Sequence, residues 1–229
     1  MKIAALVSGG KDSVFAVQKM MEAGHEVVGL VCLIPENKES YMYHSINTDL
    51  VQSISQACGI PLFYQPTSGV KEEELLEMKL ILSRLILDCG IAGVCSGAIE
   101  SDYQKSRIDS VCSALSLQSF LPLWKSDPKQ LLLEMIQSGM EIRFAAVAAD
   151  GLDERWLGRR LDAAALEELI TLNQEKHVHI AGEGGEFETA VLDAAFFTQR
   201  IVPVRTNKRW HCNRGFYDIL ETKLLPKMK

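Results

Sequence analysis

Between residues 2 and 149 short apolar runs alternate with longer segments of helical spacing, and this restricts the fold more than any other feature. KIAALV is almost wholly apolar, as a strand covered on both faces must be. DSVFAVQKMMEAG follows, with Val14, Val17, Met20 and Met21 at helical spacing and Gly24 as a stop. EVVGLVCLI and PLFYQPT read as further strands, separated by a loop and the helix NTDLVQSISQACGIP. KEEELLEMKLILSRLILDCG is an amphipathic helix, IAGVCSG a strand, and SDYQKSRIDSVCSAL a helix with Ser101 and Gln104 in capping-box positions. LPLW, DPKQLLLEMIQSG and EIRFAAVAA complete the alternation. Helices of this length between strands imply parallel pairing and right-handed crossovers. Residues 1–149 are therefore predicted to form an α/β domain with a doubly wound, mainly parallel sheet. After ADGLDERWLGRRL the pattern changes to one helix and short runs broken by glycine and charge, which predicts a smaller α+β subdomain over 150–229.

A chain of 229 residues with 47% hydrophobic and 24% charged residues can bury a core without disulfide or metal staples. Its net charge of −6 gives no support to a general nucleic-acid partner; KRWHCNRGF near the C-terminus is the one basic candidate. The six cysteines, at 32, 58, 89, 95, 112 and 212, show no C-x-x-C spacing and sit mostly in apolar runs, so they read as buried thiols. The apolar run after Met1 and Lys2 is too short for a signal peptide, and no apolar segment is long enough to span a bilayer. The expected location is cytoplasmic, without membrane contact. A homo-oligomer is compatible with the sequence.

The turn after the first apolar run is SGGKDS, residues 8–13. Ligands of open α/β sheets bind beyond the carboxyl ends of the strands, where this turn falls. Gly9 and Gly10 permit close backbone approach, the following helix directs N–H groups outward, and Lys11 adds positive charge: an anion site, best suited to phosphate. Walker A is excluded, because Ala5 stands where its first glycine belongs and Asp12 where its Ser or Thr belongs. The dinucleotide pattern fails because Gly9 and Gly10 are adjacent. Asp12 beside polyphosphate calls for an intervening cation, hence Mg²⁺. The plainer alternative is a glycine turn in which Asp12 or Ser13 caps the helix.

SGGKDS resembles the signature of the PP-loop ATP pyrophosphatases, the adenine-nucleotide α-hydrolase-like group. Three further stretches, ESYMYHSIN, SGAIESDYQKSRID and GEGGEFETAVLD, together with DGLDERWLGR, are similar to those of the diphthine–ammonia ligases within that group, and extend the likeness over nearly the whole chain. AAFF after the last motif departs from the family's D-x-P-x-F. The resemblance implies an ATP-dependent, AMP-forming ligase that amidates the diphthine carboxylate on translation elongation factor 2 with ammonium. ATP and Mg²⁺ would lie on Ser8, Gly9, Gly10, Lys11, Asp12 and Ser13, with Asp12 toward the metal. Lys11 and backbone N–H groups would absorb the charge of departing pyrophosphate. The rivals are a tRNA-modifying PP-loop enzyme, disfavoured by the charge and the missing cysteine pair, and a non-catalytic ATP-binding sensor.

Gly97, Ala98 and Ile99 end a strand at the ligand edge, where small residues would admit nucleotide. Glu100 follows, and Tyr103, Gln104 and Arg107 share a helical face from which Arg107 reaches phosphate or an anionic substrate. Glu183, Glu186 and Glu188 crowd around Gly184 and Gly185, with Thr189 next in line. Carboxylates so close raise one another's pKa unless they share a cation. Glu186 or Glu188 is expected to bind ammonium or the trimethylammonium of diphthine and to take part in catalysis. Tyr43 and His44 offer an aromatic face for a quaternary ammonium. His177 and His179, without companion ligands, read as structural.

Overall fold

The computed structural model describes residues 1–35, 48–67 and 73–227. Tyr43 and His44 lie outside the described residues.

The first half of the chain forms a five-stranded parallel sheet. Its strands are β1 (Lys2–Leu6), β2 (Glu26–Pro35), β3 (Leu62–Thr67), β4 (Gly93–Cys95) and β5 (Gln118–Phe120), in the order β3-β2-β1-β4-β5. The crossovers are helices α1 (Lys11–Glu22), α2 (Thr48–Cys58), α3 (Glu73–Cys89) and α4 (Asp102–Ala114). The chain winds outward from β1 in both directions, so β1 and β4 flank the point where strand order reverses. On one face, Met78, Leu82 and Leu85 of α3 and Ile108 and Val111 of α4 pack on Ala4, Val31 and Val94. The doubly wound α/β reading is correct. Ser101 caps α4, its hydroxyl accepting from the Gln104 N–H. The fifth strand is QSF rather than LPLW, which turns back toward α5 (Pro128–Gln137).

The second sheet is antiparallel, in the order β7-β6-β9-β8. It comprises β6 (Glu141–Val147), β7 (Phe187–Asp193) and the long hairpin of β8 (Gln199–His211) and β9 (Arg214–Pro226), with α6 (Ala163–Lys176) between β6 and β7. EIRFAAV does not extend the parallel sheet as the alternation predicts. It pairs with β7 and β9 instead. An apolar run buried on both faces fits either kind of sheet, and its partners come from residues 187–193 and 215–216.

Helices α1 and α2 lie between the two sheets. This explains why α1 buries Phe15, Ala16 and Gln18 as well as Val14, Val17 and Met20, while Met21 is exposed. A hydrogen bond between the Ser53 and Thr222 hydroxyls and one from the Thr198 hydroxyl to the Ala57 carbonyl, each 2.8 Å, fasten α2 to the second sheet. One apolar cluster runs from Ile3 through Phe144 to Ile219 and joins both halves. The cysteines are free thiols; Cys32, Cys95 and Cys112 are buried, which pushes Cys32 and Cys112 up to about 11 and Cys95 to about 12, whereas Cys58 and Cys89 are half-buried and Cys212 is exposed, against the buried reading. Among the described residues no helix is long and apolar enough to cross a membrane.

Phe144 is fully buried in the continuous apolar cluster, edge-on to Trp156 at 4.9 Å and Phe187 at 5.1 Å between ring centroids. Phe144→Ala should cost about 3–5 kcal/mol. Because the core is continuous, thermal unfolding of the variant should remain a single transition at lower temperature, visible by calorimetry.

Candidate active site

SGGKDS lies at the carboxyl end of β1 and opens α1. Gly9 adopts φ +85°, a conformation that favours glycine, and its carbonyl accepts from the Val191 N–H at 3.1 Å. The helix N-cap is Gly10, and no side chain caps it, which disposes of the reading of Asp12 or Ser13 as a cap. Ser13 instead braces the turn. Its hydroxyl donates to the Gly10 carbonyl at 3.0 Å and accepts from the Ser8 N–H at 3.2 Å. At the end of β4, a Cβ on Gly97 would fall 2.5 Å from the Asp12 carbonyl carbon and 2.6 Å from the Ser13 nitrogen. Gly97 therefore lets strand and helix start meet, and any side chain there would push the loop away.

Together these elements enclose a cleft of about 210 Å³ at the reversal point of the sheet. Ser8, Asp12 and Ser13 form one wall, Ser96, Gly97 and Ala98 another. Leu6, Val31, Leu33 and Ile108 supply an apolar floor, and Gln104 and Glu183 close the sides. An apolar slot beside a polar turn is the profile of a nucleotide site. Ile99, fully buried, belongs to the core rather than to the cleft as expected.

Lys11 departs from expectation. Its side chain is only 3% exposed and is not part of the cleft wall. The ammonium donates to the Ala181 carbonyl at 2.6 Å and to Asp12 Oδ2 at 2.9 Å, and lies 5.4 Å from the centre of the Phe187 ring. Thr189 is likewise turned inward, its hydroxyl accepting from the Lys11 N–H at 3.0 Å. The GEGGEFET segment is thus bound directly to the SGGKDS loop. Asp12 keeps its other oxygen, Oδ1, buried and, among the described residues, without a hydrogen-bond partner.

The three glutamates occupy different surroundings. Both oxygens of Glu186 accept backbone N–H groups, from His179 at 3.0 Å and Gly184 at 2.8 Å, so this carboxylate shapes its own loop. His179 Nδ1 accepts from the Ala181 and Glu183 N–H groups, and its Nε2 lies 3.7 Å from Glu100. The structural reading of His179 holds, with the addition that it braces the active-site loop. His177 is the left-handed C-cap of α6. Glu183 faces the first cleft; partial burial and then the Asp12 charge raise its pKa. Glu188 lies in a second cleft of about 390 Å³, and burial pushes its carboxyl up to about 7. An extra residue in β6 between Phe144 and Ala146, opposite Thr189 and Glu188, re-aims the strand there.

Glu183, Gly184 and Gly185 line this second cleft too, so Glu183 stands where the two meet. Arg214 and Phe216 of β9 complete it; both belong to KRWHCNRGF, the basic stretch, which the sequence did not connect with this site. Glu100 is on the rim, exposed. Of the α4 group, only Gln104 reaches the first cleft. The Arg107 guanidinium instead stacks 3.3 Å from the centre of the Tyr103 ring, and its charge pulls down the burial-raised pKa of Glu74.

Raised pKa values carry a stability cost. Glu188 is neutral in the fold below about 7 but ionises near its ordinary 4.5 when unfolded, so stability falls as pH rises between those values. Glu188→Gln should therefore stabilise the protein, by up to about 3 kcal/mol above pH 7 and little near pH 4.5. Urea denaturation of both proteins across that range measures it.

The sequence matches two family models, the diphthamide synthase N-terminal domain over residues 1–119 and the diphthamide synthase C-terminal domain over 127–225. The diphthine–ammonia ligase of Danio rerio is 36% identical over 94% of this chain and 91% of its own length. That of Homo sapiens is also 36% identical, over 88% of this chain and 82% of its own. The Schizosaccharomyces pombe relative is 36% identical over 88% of this chain, which spans only 36% of its length. With both halves matched in order, and with the two loops that carry the motifs bonded to each other, the chain belongs to the diphthine–ammonia ligase family.

Proposed function

We propose that this protein is an ATP-dependent ligase that converts the diphthine carboxylate of translation elongation factor 2 to an amide, using ammonium and releasing AMP and pyrophosphate. The observation that carries the reading is the junction at Glu183. There a cleft with the features of a nucleotide site opens beside one holding a glutamate tuned to about 7. ATP would rest on the apolar floor with its phosphates against Ser8, Asp12 and Ser13. A carboxylate oxygen of the substrate attacks the α-phosphorus as the bond to the β-phosphate breaks, giving an acyl-adenylate. Ammonia then attacks the acyl carbon, the bond to the AMP oxygen breaks, and nitrogen gives up a proton. Glu188, with a pKa close to working pH, is suited to take that proton.

The residues fit a nucleotide-borne Mg²⁺. A buried carboxylate oxygen without a partner is costly, and Asp12 Oδ1 is one. Magnesium commonly takes one or two carboxylates and completes its shell from phosphates and water, so a single aspartate suffices. The ion would screen phosphate from Asp12 and polarise the leaving group. Lys11 acts behind this front, aiming Asp12 and contributing positive charge across a short stretch of buried protein.

Incubation of the protein with MgATP, ammonium and diphthine-bearing elongation factor should convert acid to amide at the modified histidine, read by mass spectrometry, with AMP formed in equal amount. Asp12→Asn and Lys11→Ala should each reduce AMP formation by a factor of roughly 100 or more, the scale of losing an aligned electrostatic group. An unchanged mass in the wild-type reaction, or wild-type turnover in both variants, would refute the proposal.

A further inference from the structure

The second cleft contains charges that amidation alone leaves unassigned. Arg214 is exposed at its mouth, Glu188 lies deeper, and among the described residues neither has an ion-pair or side-chain hydrogen-bond partner. Elsewhere on the hairpin Arg209 pairs with Asp218 and Arg205 with Glu221. Two phenyl rings, Phe187 and Phe216, line the same space. Both already sit near cations, Lys11 at 5.4 Å and Arg209 at 5.0 Å from their centres.

Arg214 is also held in place. It is the first residue of β9, directly after the hairpin turn. The Trp210 indole donates to the Cys212 carbonyl at 2.9 Å and lies across Gly215, where a Cβ would come within 2.5 Å of the ring. Gly215 is thus the residue that lets the indole close over the strand, and this fixes the turn from which Arg214 projects. The turn belongs to KRWHCNRGF, the basic stretch of an otherwise acidic chain.

We propose that the second cleft is a zwitterion site in which Arg214 binds the substrate carboxylate while Phe216, Phe187 and Glu188 receive a quaternary ammonium on the same carbon. This rests on the amidation reading and names the residues that position its acceptor. A guanidinium matches a carboxylate with two parallel hydrogen bonds. Aromatic faces with a nearby carboxylate are the usual surroundings of a trimethylammonium group. The rim residues Glu183, Gly184, Gly185 and Arg214 are exposed, so a side chain borne on a large protein could enter. Arg214 is a substrate-binding and specificity residue; it takes no proton and forms no covalent bond.

Two measurements test this on the whole protein. In the amidation assay, Arg214→Ala should raise KM for diphthine-bearing elongation factor roughly tenfold or more, the weight of a charge-assisted pair, and leave KM for ATP within about twofold. Arg214→Lys should recover part of the loss. An unchanged KM for the protein substrate in Arg214→Ala would overturn the assignment while leaving the amidation reading intact. Independently of turnover, N,N,N-trimethyl-α-aminobutyrate should bind saturably by NMR titration, more weakly without its methyl groups, and not at all to Arg214→Ala. No saturable binding to wild type, or equal binding by the variant, would also overturn it. If the probe binds as expected but wild type forms no amide, the zwitterion site stands and the amidation reading falls.

Discussion

A buried ammonium group cannot be left without partners, and the partners of Lys11 decide how this protein is assembled. In surroundings that screen charge poorly, its three protons need acceptors, and two come from Asp12 and the Ala181 carbonyl. Asp12 belongs to the turn after β1, Ala181 to the loop before β7. One side chain therefore ties the phosphate-type loop of the parallel sheet to the glutamate-rich loop of the antiparallel sheet, 170 residues later. The Lys11 N–H to Thr189 and the Val191 N–H to Gly9 add two bonds of the same kind. The site is thereby built by both halves at once, each loop bonded to the other. Removing a partner from such a charge typically costs about 3–5 kcal/mol, comparable with a large core truncation.

This dependence explains which features could be read from the sequence. The alternation of buried runs and capped helices was legible because each element carries its own signal, as Ser101 does for α4. The identity of the loop was legible because adjacent glycines, a lysine and an aspartate between strand and helix have few other uses. The membership of β6 was not, since Ile142, Phe144 and Val147 would be equally apolar in either sheet. The hairpin was not, because much of β8 and β9 faces solvent and their order comes from cross-strand pairs such as Arg209 with Asp218. In the site, Glu183, Glu186 and Glu188 look alike in one dimension. They differ through backbone donors and burial, and only folding supplies these. Arg214 and Phe216 lie well beyond the motif that they complete, and the basic stretch KRWHCNRGF that holds them carries no local sign of which loop it packs against.

The placement of charge follows the same logic. Three carboxylates, Asp12, Glu183 and Glu188, run from the first cleft through the junction into the second. A row of acids along a route between clefts favours cations: a metal accompanying phosphate at one end, ammonium or a quaternary ammonium at the other. Burial then separates their roles. Asp12 has one oxygen on Lys11, whereas Glu188, raised toward neutrality, can exchange protons near working pH.

The same row creates a difficulty for any reaction in which a carboxylate attacks a phosphate. Both reactants are anions, and the residues between them are acids, so the field opposes the approach that the chemistry requires. Three features of the site offset it. Lys11 lies behind Asp12, a cation is called for at Asp12 Oδ1, and Arg214 stands at the entrance where the second anion would arrive. A substrate carrying its own quaternary ammonium beside the carboxylate would also approach as a neutral zwitterion, at much lower electrostatic cost than a bare acid. Selectivity for such a substrate would then divide between Arg214, which receives the carboxylate, and the acids, which favour the accompanying cation.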